Sequence, residues 1–388
     1  MVTTCKGKVK GIVLQKKPMT HVLFSSYDMG QMALSNRVAM APMTRNRAIS
    51  NMPNELMAHY YAQRSSAGLI ITEGTAPSPN GLGYANIPAI FHEAHVEGWR
   101  KTTRAVHERG GKIFIQLMHT GRMGNPGNLP VGAELLAPSA IPAMGRALKN
   151  TQRTAEYYVP RAMMPEDIQQ TQNEFVNASK NAMKAGFDGV ELHGANEHII
   201  EQFLSAVSNQ RNDAYGGTLE NRCRFALEAI PNVGSAIGFD KVAIRLSPYG
   251  ANSWMQPEDT DAVFDYLTKE LNKFGLAYLH HADHSAMGGN EVPRYIKQMI
   301  RDNFKGTILL TGGFDQQTAE DTLRSGIADL IGFGRLFISN PDLVERMRNN
   351  RELNMNLDST TFYTSEAKGY TDYQNYKEWK EKSGGITC

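Results

Sequence analysis

Eight short apolar runs, most separated by room for a helix, constrain this 388-residue chain more than any other feature. They are RVAMA (37–41), GLIITEG (68–74), KIFIQL (112–117), DGVELH (188–193), KVAIRL (241–246), LAYLHHA (276–282), TILLTGG (307–313) and ADLIGFG (328–334). Runs that are nearly continuous in apolar residues belong to strands buried on both faces, as in a parallel sheet. Eight of them, with helical patterns between, predict an α/β protein of the (β/α)8 TIM-barrel kind rather than an open sheet. Length alone would allow two or three domains, but such barrels commonly reach this size as a single domain.

Helix candidates lie at about 54–67, 92–109, 166–185, 219–237, 258–274, 291–302, 315–325 and 340–350. Asn54, Asp315 and the pair Asn340-Pro341 read as helix starts, and Gly68, Gly110, Gly186 and Gly326 as stops. Ahead of the first run, residues 21–36 alternate weakly about a turn-like Asp28-Met29-Gly30, which predicts a hairpin plugging the lower end of the barrel. The Pro- and Gly-rich segment 121–165, after the third strand, is the longest irregular stretch and reads as a loop excursion over the site, where barrel enzymes place lids.

Composition narrows the partners. With 41% hydrophobic and 21% charged residues and a formal net charge of +2, the chain has ample material for one core and no global field to recruit nucleic acid or membrane. No apolar stretch of about 18 residues marks a membrane span. Cys5, Cys223 and Cys388 form no CxxC pair, which gives no reason for a zinc or iron–sulfur site and fits a reducing, cytoplasmic compartment. Residues 1–17 form a basic leader without Arg, read either as a flexible extension or as a transit peptide, and 381–388 (EKSGGITC) read as a flexible tail. The single barrel is expected over 18–380.

Polar and glycine residues collect where the apolar runs stop. Pro42-Met43-Thr44, Glu73-Gly74, Gln116, His193 with Asn196, Arg245, His280-His281, Gly312-Gly313 and Gly334-Arg335 all fall at strand ends, and barrels place their active site on that face. A His and an Asn three apart at such an end can aim two donors at one small acceptor, a carbonyl or anion clamp. The glycine loops after the seventh and eighth runs sit where barrels bind phosphate through free backbone N–H groups, and Arg245 and Arg335 could add charge-assisted bonds. A metal at His280, His281 and His284 is disfavoured, because adjacent strand residues face opposite sides.

After His193 the chain reads H-G-A-N, and from Ser208 it reads S-N-Q-R-N-D-A-Y-G-G-T-L-E-N-R-C-R-F. This combination resembles the old yellow enzyme family, FMN-dependent ene-reductases on a (β/α)8 barrel, over roughly residues 20–380. By that resemblance Thr44 would bond the flavin carbonyl, while Pro42 and Met43 would line the ring. Gly74 would leave room for the isoalloxazine, Gln116 would bond its pyrimidine edge and Arg245 would sit near N1. Gly313, Gly334 and Arg335 would hold the 5′-phosphate. His193 and Asn196 would grip the substrate oxygen, with Tyr84 and Tyr363 as roof. Arg211, Asp213, Glu220, Arg222 and Arg224 read as a structural brace.

The resemblance implies NADPH or NADH as reductant and an activated alkene, an enone or nitro compound, as oxidant in a ping-pong cycle. Two preoriented donors would stabilise the charge arriving on the acceptor oxygen, and loss of one typically costs on the order of 10²–10³-fold. Two positions depart from the family. Where relatives carry a proton-donating Tyr, this chain has His198, preceded by Glu197; either His198 delivers the proton or it fills space while solvent or another Tyr donates. Met118 stands where many members carry Trp, which would widen the pocket unless it only packs the core. Two rival functions stay open at this level, a flavin-binding NAD(P)H oxidase that has lost alkene reduction and a flavin-free barrel lyase or isomerase. The resemblance leaves monomer and homodimer equally open.

Overall fold

The computed structural model describes residues 21–144, 146–149, 152–250 and 258–383. The expected leader, 1–17, lies outside the described residues, as do 384–388 of the expected tail.

Eight parallel strands close into a barrel: β3 (Val38–Met40), β4 (Leu69–Ile71), β5 (Ile113–Leu117), β10 (Gly189–Gly194), β11 (Val242–Leu246), β12 (Tyr278–Ala282), β13 (Ile308–Thr311) and β14 (Leu330–Phe333). Seven fall within one of the eight apolar runs, and β10 extends one residue past its run, to Gly194. The hairpin β1 (Tyr27–Met29) and β2 (Met32–Leu34) pairs antiparallel through Met29 and Met32. Its buried Met29 and Leu34 pack with Ala39, Leu69, Ile71, Phe114, Ala243, Tyr278, Leu309 and Leu330, all inward-facing, so the hairpin does plug one end of the barrel.

Side-chain alternation explains why these strands read as continuous apolar sequence. The outward set, such as Val190, Leu192, Val242, Ile244, Ile308 and Leu310, joins the larger core beneath the helices. The inward set is apolar at the plugged end and turns polar two residues further along four of the strands, from Phe114 to Gln116, Ala243 to Arg245, Tyr278 to His280 and Leu309 to Thr311. Interior space is shared: a Cβ on Gly189 would lie 2.3 Å from the Phe114 ring.

The helices are α1 (Glu55–Ala62), α2 (Glu93–His107), α3 (Pro165–Lys184), α4 (Ile199–Leu204), α5 (Leu219–Ile237), α6 (Thr260–Leu271), α7 (Arg294–Asn303), α8 (Gln316–Ser325), α9 (Arg335–Ser339), α10 (Leu343–Arg348) and α11 (Tyr376–Ser383). Asn54 and Asp315 cap as expected, accepting from the N–H of Met57 and Thr318. Three expectations change. The first helix stops at Ala62 rather than 67, and beyond it Arg64 turns inward to donate to the carbonyls of Phe337 and Ile338. The expected helix at 340–350 begins only at Leu343, because the Asn340 amide is spent on the carbonyls of Leu336 and Asn354. Residues 381–383, expected as tail, complete α11.

The excursion at 121–165 is less irregular than its composition suggests. Strands β6 (Leu136–Ala137) and β9 (Arg161–Ala162) pair in parallel, and β7 (Arg146–Lys149) pairs antiparallel with β8 (Gln152–Glu156). Within the predicted brace Arg211 anchors it, while Arg222 ties together the segments on either side of α5. Arg211 clasps Asp213 and donates to the carbonyls of Pro138 (2.9 Å) and Met163 (2.5 Å), while Arg222 donates to those of Leu204 and Gly217 and pairs with Asp259.

Candidate active site

The polar layer inside the barrel starts at Glu191, two residues before His193 on the same face of β10. Gln116 Nε2 donates to one Glu191 oxygen at 2.8 Å, and His280 Nδ1 lies 2.8 Å from the other. His280 Nε2 in turn lies 3.0 Å from Thr311 Oγ1. Burial alone would raise the Glu191 carboxyl, but the charge and hydrogen bond of His280, aided by Arg245 and Gln116, outweigh it and hold the group below the usual range. This chain of bonds forms a rigid floor. The Gln116 bond uses one of its two amide N–H donors and leaves its carbonyl oxygen free to accept from a ligand N–H.

Above the floor, His193 and Arg245 are register partners on β10 and β11. Burial, then His198 and Arg245, push the His193 ring well below its ordinary pKa, so it is neutral and keeps one N–H to offer. Asn196 is fixed at two points. Its carbonyl oxygen accepts from Arg245 Nη1 at 3.3 Å, which turns its amide N–H₂ away from the arginine. Its backbone N–H donates to Ser247 Oγ at 3.0 Å, and Ser247 donates to Glu201 Oε1 at 2.7 Å. The other Glu201 oxygen takes the Glu197 N–H. These bonds hold Asn196 (φ 57°) and Glu197 (φ 62°) in the left-handed region, which Asn tolerates and Glu does not prefer.

His198 begins α4 with its ring buried against that of His193, centroids 4.5 Å apart. Its Nδ1 lies 3.0 Å from the Ala195 carbonyl, which can only accept, so Nδ1 carries the proton. Its Nε2 lies 3.2 Å from the Tyr84 hydroxyl, which is therefore the donor in that bond. Burial holds His198 down to about 4. The expectation that His198 carries a transferable proton therefore meets a neutral ring whose only N–H is already given to a carbonyl.

The remaining expected residues gather on the same face with three differences of role. Pro42, Met43 and Thr44 are half-buried along the mouth, and Met43 reaches toward Gly334, 3.5 Å from where a Cβ would stand. The space beside Gly74 is filled by Met118, whose Sδ would lie 2.4 Å from an added Cβ. Met118 is itself buried with Ala76, Leu82, Ile87 and Ala89, so it packs the wall behind Tyr84. Tyr363 is 47% exposed and stands at the rim, near enough to bear on the ionisation of Tyr84, not as a closed roof. Gly313 has φ +70°, and a Cβ there would lie 2.4 Å from that of Ala286. Arg335 is exposed and donates to the Ala286 carbonyl at 2.9 Å, which ties the loop after β14 to the segment after β12 against which Gly313 packs.

An FMN fits these residues. Arg245 Nε, His193 Nδ1 and both ring nitrogens of His284 are buried without a hydrogen bond among the described residues, and they line the mouth where a flat polar heterocycle and its tail would lie. Sequence reading missed Glu201 and Ser247 altogether and did not connect Glu191, His280 and Thr311. Only Glu191 gave a signal, a carboxylate in a buried run at the spacing that shares a face with His193. Among the described residues no group of three or more His, Cys, Asp or Glu side chains is arranged to hold a metal ion.

Comparison with known proteins shows the family and the fold. Residues 22–354 match the family described as the NADH:flavin oxidoreductase / NADH oxidase family. The chain is 39% identical over 379 residues to 12-oxophytodienoate reductase 7 of Oryza sativa subsp. japonica, covering 92% of this chain and 96% of that one. It is 40% identical over 351 residues to a probable flavin mononucleotide-dependent alkene reductase of Leishmania infantum, covering 89% and 94%. The structure of morphinone reductase in complex with tetrahydroNAD superposes with a TM-score of 0.85 at 39% identity, covering 91% of this chain and 97% of the other.

Proposed function

Because this chain belongs to the NADH:flavin oxidoreductase / NADH oxidase family and its relatives include alkene and enone reductases, it is an NAD(P)H-dependent ene-reductase, and we propose that His193 and Asn196 are its substrate clamp. The carrying observation is the Asn196 amide, whose oxygen is bound by Arg245 so that its N–H₂ points away beside the neutral His193 ring.

FMN, when bound, supplies the hydride acceptor and donor. Pro42, Met43 and Thr44 would line its ring, Gln116 would present a carbonyl oxygen to its pyrimidine edge, and Arg245 would place positive charge beside it. The loops bearing Gly313, Gly334 and Arg335 would hold the phosphate, and the two unpartnered nitrogens of His284 suit the polar tail between them. Gly74 would serve this site indirectly, by admitting Met118 to the wall.

The protein's own part is positioning and electrostatics. His193 and Asn196 each donate one hydrogen bond to the oxygen of a flat electron-poor molecule, so charge arriving there meets dipoles that need no reorganisation. The same pair can hold the carboxamide of a nicotinamide, which supports a ping-pong cycle in which NADPH or NADH and the enone or nitroalkene use one site in turn. The buried floor excludes water from beneath. We place the protein in the cytoplasm, on its scarcity of cysteine, as a monomer or homodimer; among the described residues no helix is long and apolar enough to cross a membrane.

The test is substitution of each donor. Asn196→Ala should lower both half-reactions by on the order of 10²–10³-fold, because one oriented donor is lost from a water-poor site. An Asn196→Ala protein that reduces cyclohexenone at the unsubstituted rate would sink the assignment.

A further inference from the structure

Tyr84 is held from both sides. The Gly83 carbonyl before it accepts from Asn125 N and Asn128 Nδ2, both at 2.9 Å, and Thr120 Oγ1 donates to the Leu82 carbonyl. Its ring packs against the cluster that contains Met118, Leu82 and Ile87. Its hydroxyl reaches His198 Nε2 at 3.2 Å, edge-on to the imidazole, beside the His193 ring. Because His198 Nδ1 is tied to the Ala195 carbonyl, Nε2 can only accept, and the one transferable proton in this contact is the phenolic one.

We propose that Tyr84 is the residue that protonates the α-carbon of the reduced alkene, and that His198 is a positioning residue that holds the Tyr84 hydroxyl over the clamp. The inference rests on the ene-reductase reading and deepens it. After hydride reaches the β-carbon, negative charge is shared between the clamped oxygen and the α-carbon. The Tyr84 hydroxyl, unlike an imidazole N–H, can turn about its C–O bond from His198 Nε2 toward the α-carbon. The enolate π pair then forms the new C–H bond with the Tyr84 proton, the Tyr84 O–H bond breaks with its electron pair left on oxygen, and the carbonyl is restored. The phenolate afterwards takes a proton from water, releasing hydroxide. Burial, then Tyr157 and Glu197, raise the Tyr84 pKa, so the group rests as a protonated phenol at neutral pH and yields its proton only to a stronger base such as an enolate.

A nitroalkene separates this role from a structural one. Its hydride adduct, a nitronate, is a far weaker base than an enolate and can leave the site unprotonated. The experiment compares, in each variant, the anaerobic reoxidation of NADPH-reduced enzyme by cyclohexenone and by a nitroalkene. Tyr84→Phe should lower the enone-to-nitroalkene rate ratio by on the order of 10²-fold and release nitronate. His198→Phe, which removes the acceptor, should lower the ratio less, and His198→Gln, whose carbonyl can still accept, should restore part of it. NMR of nitrogen-labelled histidine, on protein with or without flavin, should show His198 protonated at Nδ1 with an Nε2 resonance that moves in Tyr84→Phe. An unchanged ratio in Tyr84→Phe, or a His198 proton on Nε2, overturns the assignment. Reduced unsubstituted enzyme that passes hydride to neither alkene overturns the ene-reductase reading itself, and with it the step that Tyr84 serves.

Discussion

Asn196 draws its geometry from three residues, and their contacts separate a binding effect from a stability effect. Arg245 on β11 sets the direction of its amide, while Ser247 and Glu201 fix its backbone. Glu201 is 8% exposed, and burial pushes its carboxyl up to about 7. A folded pKa above the unfolded value means that the native state holds the proton longer. Stability from this group is therefore full below about 4.5 and lost as pH rises through about 7. Glu201→Gln should remove that slope, so the variant should gain on the order of 2–3 kcal/mol relative to the unsubstituted protein between pH 5 and pH 8 in urea melts. A constant difference across that range would show that the carboxyl is not buried as described. His193 and Asn196 were legible because they end an apolar run. Ser247 and Glu201 were not, since neither stands in a motif and the contact exists only once the loop turns left-handed at Asn196.

At the level of elements, the eight strands could be read because burial on both faces leaves almost no polar residue to confuse the pattern. Helix ends were read less well. Arg64 and Asn340 look like ordinary polar residues in sequence, yet both turn inward to satisfy backbone carbonyls, and the helices end where they do so. The excursion was read as irregular because its Pro and Gly content hides strands of only two to five residues. The loops after β13 and β14 allow a direct test. Gly313 combines φ +70° with Ala286 Cβ only 2.4 Å from any added Cβ. Gly313→Ala should therefore displace the Ala286 segment and weaken FMN retention by about 10-fold or more, equivalent to at least about 1.4 kcal/mol, measured by equilibrium dialysis. Unaltered retention would remove this loop from the phosphate site.

The whole molecule buries several histidines in neutral form, and this should govern its response to acid. Burial lowers His95, His198 and His284 to about 4 and His119 and His281 to about 3, and takes His193 well below its usual value. Each is depressed in the folded state, so the unfolded chain binds the extra protons. Stability is full above about 6.5 and is lost as pH falls toward 4. Glu73 and Glu201, both raised to about 7 by burial, act in the opposite direction but are outnumbered. Urea midpoints should fall steeply between pH 6.5 and pH 4.5, and a flat profile there would contradict neutral burial of these rings.

Alkene reduction turns on one arrangement, the proposed clamp of His193 and Asn196 above a bound flavin, and anaerobic two-stage stopped-flow observes it directly. FMN-loaded protein should lose its visible flavin band on mixing with NADPH, then recover it on mixing with cyclohexenone, at a rate that saturates with enone and falls in Asn196→Ala. A band that stays bleached with the enone but returns on admitting oxygen would identify an oxidase without alkene reduction and contradict the proposed clamp.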